Sequence, residues 1–423
     1  MNAHKKIILK NGLKIITVPQ KSSQAVTVLV LVGTGSKYET KETNGISHFL
    51  EHLYFKGTKK RPTPLAVAEV KDKLGGIFNA FTGEEYTGYF AKVDASHLET
   101  ALEWVSDIYL NSLLPPKEIE KERGVIIEEI NMYLDTPMIY VGELWKTLLY
   151  GDQPAGWDVA GTKETISKIS REQILNYRKS QYVSPNTIVC VAGKIDSSKV
   201  VDQVKKYFLK IRTTQFREKP PVIEKQNKPQ LLLFPKKTDQ THLILGVRTF
   251  NVFHPDRFVL EILGIILGGM MSSRLFVEVR EKLGLAYYVK AENETDPDAG
   301  YLIARAGVDN RRVDKAVETI LKEYRKISEK KVSLPELKKA KDNFRGKLSL
   351  LLESSDAKAS FYASQELLEK RILTPKEMFK IVDKITPNDI LKVAKAIFRP
   401  ERLNLAIIGP AEDKTKLQQL LKL

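Results

Sequence analysis

At 423 residues the chain is too long for one ordinary core, so two or more domains are expected. Hydrophobic residues make up 42% and charged residues 28%, the balance of a soluble globular protein. The net charge of +16 would suit a nucleic-acid binder, but Lys and Arg mostly alternate with Glu, as in Glu118-Ile119-Glu120-Lys121-Glu122-Arg123, and no basic tract interleaves with aromatics, so nucleic acid is set aside as a partner.

The N-terminal Met1-Asn2-Ala3-His4-Lys5-Lys6 leads into Ile7-Ile8-Leu9, too short an apolar stretch for a signal-peptide core and unlike an Arg- and Ser-rich transit peptide. Strands are expected at Lys14–Val18 and Ala25–Val32 around a polar turn. Ala25–Val32 is the longest apolar candidate and is strand-length, far below the about 20 residues of a membrane span. The expected setting is therefore the cytoplasm, with no membrane partner. A short helix follows at about Gly45–Phe55, stopped by Gly57.

That helix carries His48-Phe49-Leu50-Glu51-His52. Positions i and i+4 stack on one helical face, so His48 and His52 can present two imidazole nitrogens to one ion, and Glu51 lies on the same face. Phe49, Leu50 and Leu53 point elsewhere and can bury the helix. Two neutral imidazoles suit zinc, and a carboxylate that is not itself a ligand can act as base toward water there. The order His-x-x-Glu-His inverts the better-known metallopeptidase helix motif.

Three protein ligands are usual at catalytic zinc, so a third must come from elsewhere. The next acidic helix, Pro116 to Ile130, places Glu122 and Glu129 two turns apart on one face, with Glu128 rotated about 100° from Glu129. One of the pair could be a ligand and the other could orient a histidine, although the spacing is equally compatible with a solvated acidic face. Farther on, Cys190 sits in the apolar run Thr187–Ala192; a single cysteine excludes internal disulfides and reads as a core residue.

Residues 213–229 are polar, charged and contain three prolines, as befits a linker. Beyond it the element order repeats: strands at Gln230–Pro235 and Thr241–Val247 flank a turn, a helix follows at Asp256–Leu267, and an apolar strand at Leu403–Ile408 matches Thr187–Ala192. The expected fold is α+β, two similar domains (1–212 and 230–423), each an antiparallel sheet with helices packed on one face. The second half has no His/Glu cluster at the matching helix.

Several segments in order resemble the pitrilysin/insulinase/mitochondrial-processing-peptidase family of zinc peptidases, in its short bacterial form. They are His48 to Thr58, Gly75-Gly76-Ile77-Phe78-Asn79-Ala80-Phe81-Thr82, Glu122 to Ile130, Met271 to Phe276 and Arg280 to Tyr287. The resemblance implies one Zn2+ per chain held by His48, His52 and Glu129, with Glu51 as general base and Glu122 orienting a histidine. It also implies that Asn79-Ala80 lies on an edge strand where peptide substrates add by β-augmentation. Arg280 and Tyr287, which otherwise read as a surface Arg on an amphipathic helix and a strand tyrosine, become substrate and transition-state contacts. A clamshell of four such domains implies a homodimer acting on peptides or unfolded polypeptides. The rival reading is a non-catalytic family subunit with a structural or assembly role.

Overall fold

A computed structural model describes residues 4–410 and 413–423. Its strands form two sheets. The first contains β1 (Lys5–Ile8), β2 (Lys14–Pro19), β3 (Ala25–Val32), β4 (Ile77–Thr82), β5 (Thr87–Asp94) and β6 (Thr187–Gly193), in the order β1-β2-β6-β3-β5-β4. The second contains β7 (Gln230–Pro235), β8 (Gln240–Arg248), β9 (Ala286–Thr295), β10 (Gly300–Asp309) and β11 (Leu403–Gly409), in the order β7-β11-β8-β10-β9. Apart from β1 the two orders are the same, strand for strand. The duplicated α+β architecture expected from the element order is therefore present. Each sheet is antiparallel except for one parallel pair, β2 with β6 and β7 with β11.

Helices cover more than one face of each sheet. In β3 the run Ala-Val-Thr-Val-Leu-Val-Leu-Val reads as apolar on both sides, and both sides are buried. Leu29 and Leu31 meet Ala359, Tyr362, Ala363 and Leu367 of the helix Ser355–Leu368. Val26, Val28, Val30 and Val32 take the opposite side, and the helix Leu98–Asn111 packs on β3 and β5. The second sheet repeats this. Leu243, Leu245 and Val247 join a core with the helices Arg257–Gly268, Val313–Glu329 and Pro387–Ile397. Ile244, Ile303, Ala406 and Ile408 pack on Val141, Leu144, Trp145 and Leu149 of the helix Pro137–Tyr150.

Each sheet thus borrows its second cover from the other half of the sequence. The compact units are consequently Met1–Asn131 with Trp157–Pro220 and Leu350–Ile372, and Met132–Gly156 with Pro221–Ser349 and Leu373–Leu423. The segments 1–212 and 230–423 describe the order of elements along the chain; in space each unit holds one piece of the other segment. Residues 213–229 contain neither helix nor strand.

Cys190 lies buried on β6, and burial pushes its thiol well above the usual value, in keeping with a core role. Among the described residues no helix is long and apolar enough to cross a membrane.

Candidate metal centre

The helix Ile46–Leu53 is too short to be stable alone and is held by what surrounds it. It starts at Gly45, whose φ of 94° lies in the left-handed region. A Cβ there would stand 2.7 Å from the Ala160 carbonyl oxygen, so a glycine is required twice over. No side chain at Gly45 can cap the helix. Glu39 does so from six residues upstream, its carboxylate accepting from the Gly45 N–H at 2.7 Å and the Ser47 N–H at 2.8 Å. The Asn44 amide donates to it at 3.0 Å. Burial pushes Glu39 up to about 7 despite these three donors.

Phe49, Leu50 and Leu53 are fully buried, as their spacing predicts, which turns His48, Glu51 and His52 to a common, half-buried face. The helix Pro116–Leu134 brings Glu122 and Glu129 to that face. One Glu129 oxygen stands 3.7 Å from His48 Nε2 and 3.5 Å from His52 Nε2. The two imidazoles are 4.6 Å apart, centre to centre, and steeply inclined at 69°. One ligand atom from each of His48, His52 and Glu129 lies within 4.8 Å of the others. An ion about 2.0–2.2 Å from each of three tetrahedral donors needs separations of about 3.3–3.6 Å, and the two distances from Glu129 to the imidazoles lie close to that range.

Burial, with the neighbouring His52 adding to it, lowers His48 to about 4, so its imidazole stays neutral, as a metal ligand must be. Its Nδ1 is buried without a hydrogen-bond partner. His52 Nδ1 is 3.2 Å from Glu122, whose other oxygen is 2.7 Å from Lys56 Nζ. Burial works against the Glu122 charge, but these two partners outweigh it and hold the carboxyl below its usual range. A carboxylate there makes Nδ1 the donating nitrogen and leaves Nε2 free to coordinate.

Glu51 makes no contact of this kind with the histidines. Burial pushes its carboxyl up, opposed first by a hydrogen bond from Thr82 Oγ1. Thr82 ends β4, the edge strand that carries Asn79 and Ala80. The Ala80 N–H donates to the side chain of Asn79 at 2.9 Å.

Arg280 and Tyr287 belong to the other unit. Arg280 lies in the π-helical segment Phe276–Lys282, its guanidinium 4.8 Å above the Phe276 ring and 5.9 Å from the Tyr287 ring. Tyr287 is the second residue of β9, beyond Gly284, and is 76% exposed. The structure therefore gathers His48, Glu51, His52, Glu122 and Glu129 in one place beside the strand of Asn79 and Ala80. It pairs Arg280 with Tyr287 separately.

Sequence reading missed Thr82, Glu39 and Lys56. Thr82 stands within a matching segment, on the same side of the strand as Phe78 and Ala80 by its period of two, and that signal was available. Nothing local marks Glu39 as a cap.

The family model described as insulinase (peptidase family M16) matches residues 14–163, and the model described as peptidase M16 inactive domain matches residues 168–344. The chain is 34% identical over 408 residues to the uncharacterized zinc protease YmxG of Bacillus subtilis, covering 96% of this chain and 98% of that one. An uncharacterized zinc protease of Rickettsia felis is 34% identical over 403 residues, with 95% and 96% covered. The crystal structure of a protease from Helicobacter pylori superposes with a TM-score of 0.89 at 26% identity, covering 96% of this chain and 99% of that one. A chain of complex III2 from Candida albicans, 18% identical with a TM-score of 0.85 over 99% and 100% of the two chains, shares the fold.

Proposed function

Because the chain belongs to the insulinase (M16) family of peptidases, we propose that it is a zinc-dependent endopeptidase acting on peptides and unfolded segments. The observation that carries this reading is the convergence of His48, His52 and Glu129 donor atoms within 4.8 Å, with Glu51 on the same helical face. One Zn2+ per chain, held by those three groups, would polarise a peptide carbonyl and make water a stronger acid. Glu51 takes the proton of the attacking water and delivers it to the leaving amine. Its burial, which pushes the carboxyl up, suits a group that must both accept and return a proton. Glu122, 3.2 Å from Nδ1, would hold the His52 ring in the tautomer that leaves Nε2 free for the ion.

A substrate adds as a further strand alongside Asn79 and Ala80 on β4, gripped by the backbone groups of the free edge with little regard to its side chains. The exposed Tyr287 hydroxyl donates to the oxyanion that develops on the scissile carbonyl, and Arg280 orients that carbonyl. Following the family resemblance, both reach the centre from a second copy of the chain in a homodimer working in the cytoplasm.

Metal analysis of the purified protein, together with hydrolysis of a quenched-peptide pool by wild type and Glu51→Gln, tests the reading. One zinc per chain, and cleavage that disappears in the variant, are expected. Wild-type protein that binds no zinc and cuts nothing would establish instead the non-catalytic family subunit. Sedimentation of the active species as a monomer would remove the homodimer.

A further inference from the structure

Strand β4 is joined to β5 by a tight hairpin in which the Gly83 N–H donates to the Tyr86 carbonyl at 2.9 Å. That closing pair fixes the alternation back along the strand through the register Thr82↔Thr87, Phe81↔Gly88, Ala80↔Tyr89 and Asn79↔Phe90. Phe81 and Asn79 direct their backbone groups toward β5, whereas Phe78, Ala80 and Thr82 direct theirs to the free edge. The Ala80 N–H, which donates to the Asn79 side chain, agrees with this. Side chains alternate with the same period, so Phe78, Ala80 and Thr82 also share one face of the sheet. From that face Thr82 Oγ1 donates to Glu51, and β4 packs against the helix that carries Glu51.

Thr82 therefore has two ends. Its main chain lies on the edge where a peptide would add, and its hydroxyl holds a carboxylate oxygen of Glu51. We infer that Thr82 is a positioning residue that ties the docking strand to the general base, fixing the Glu51 carboxylate relative to the backbone of a strand-added peptide; the inference rests on the peptidase reading above. A base so held is placed by the same strand that places the scissile bond, and the two keep their spacing without contact to substrate side chains. The single donor also leaves the second carboxylate oxygen free to face water.

The experiment compares wild type with Thr82→Val, which keeps nearly the same shape and lacks the donor, Thr82→Ser, which restores a hydroxyl, and Thr82→Ala. Zinc content and melting temperature check the fold of each, and kcat and KM are measured on one quenched peptide. Thr82→Val and Thr82→Ala are expected to keep zinc and a near-normal KM, because the main chain of β4 is intact. Their kcat falls by roughly ten- to a hundredfold, the scale of a misplaced reacting group. Thr82→Ser recovers most of the loss. Wild-type kcat in Thr82→Val, or no recovery in Thr82→Ser, would overturn the assignment. Should wild type cleave nothing, the peptidase reading falls by itself, and the crystal structure of Thr82→Val decides the rest: a Glu51 carboxylate that has left its wild-type position supports the tether, and one that has not moved sinks it.

Discussion

The peptidase reading gives His48, Glu129 and Glu51 separable duties, and substitutions should separate them. Glu51→Gln keeps every zinc donor and is expected to retain the metal while losing at least about a hundredfold in kcat, the usual scale of a general base. Glu129→Gln removes an anionic donor and is expected to release zinc on dialysis, read by metal analysis. Glu122→Gln leaves the donors intact but loosens His52, so zinc affinity should fall by roughly ten- to a hundredfold. Glu39 adds a pH effect on stability. Its carboxyl titrates near 7 when folded against a usual 4.5, so the folded state holds the extra proton between those values. Stability from this group is then greatest below pH 4.5, declines as pH rises toward 7, and is flat above, a fall of about 3 kcal/mol. Melting curves at pH 5 and pH 8 should show that decline in wild type and a smaller one in Glu39→Gln; identical pH responses would contradict it. The Glu122/Glu129 face was legible because helical spacing is a local property of sequence. The Thr82 and Glu39 contacts join segments set by tertiary packing, which periodicity does not encode.

The element that carries His48, Glu51 and His52 is a helix of 8 residues whose stability comes from outside itself. Gly45 starts it, Glu39 caps it, and Arg123 stands 5.6 Å from the Phe49 ring while donating to the Ile169 carbonyl at 3.1 Å. Gly45→Ala is expected to lower the melting temperature and weaken zinc retention together, since strain at the left-handed φ and the close Ala160 carbonyl both bear on the first turn. A variant with normal zinc content and melting behaviour would show that this turn can relax freely. Element identities were read well where apolar periodicity was strong: Ala25–Val32 and Gln230–Pro235 have the bounds that the pattern predicts. The double-sided burial of β3 was also written in its apolar run, interrupted by Thr27 alone. Which helix supplies the second cover was not, because Pro137–Tyr150 and Ser355–Leu368 look like ordinary amphipathic helices of their own halves.

For the whole molecule, that exchange predicts how the chain behaves when cut. The helix Pro137–Tyr150 buries Val141, Leu144, Trp145 and Leu149 against the second sheet, each contributing about 1.5–3 kcal/mol. A protease nick within residues 213–229 should therefore leave both fragments co-eluting in size exclusion under native conditions. Segments 1–212 and 230–423 expressed separately are expected to be insoluble, and co-expression should restore both. Independent folding of either segment would contradict the reciprocal cover.

The order of synthesis gives this exchange a further meaning. The first sheet is complete once β6 leaves the ribosome, but the helix that covers Leu29, Leu31 and Ile188 begins only at Ser355. At about 5–20 residues per second, that apolar face waits roughly ten to thirty seconds for its own chain to catch up. A nascent molecule spends that interval with a finished sheet open on one side, a natural client for a chaperone that shields apolar surface, and commitment to the native state waits until Ser355–Leu368 has been made.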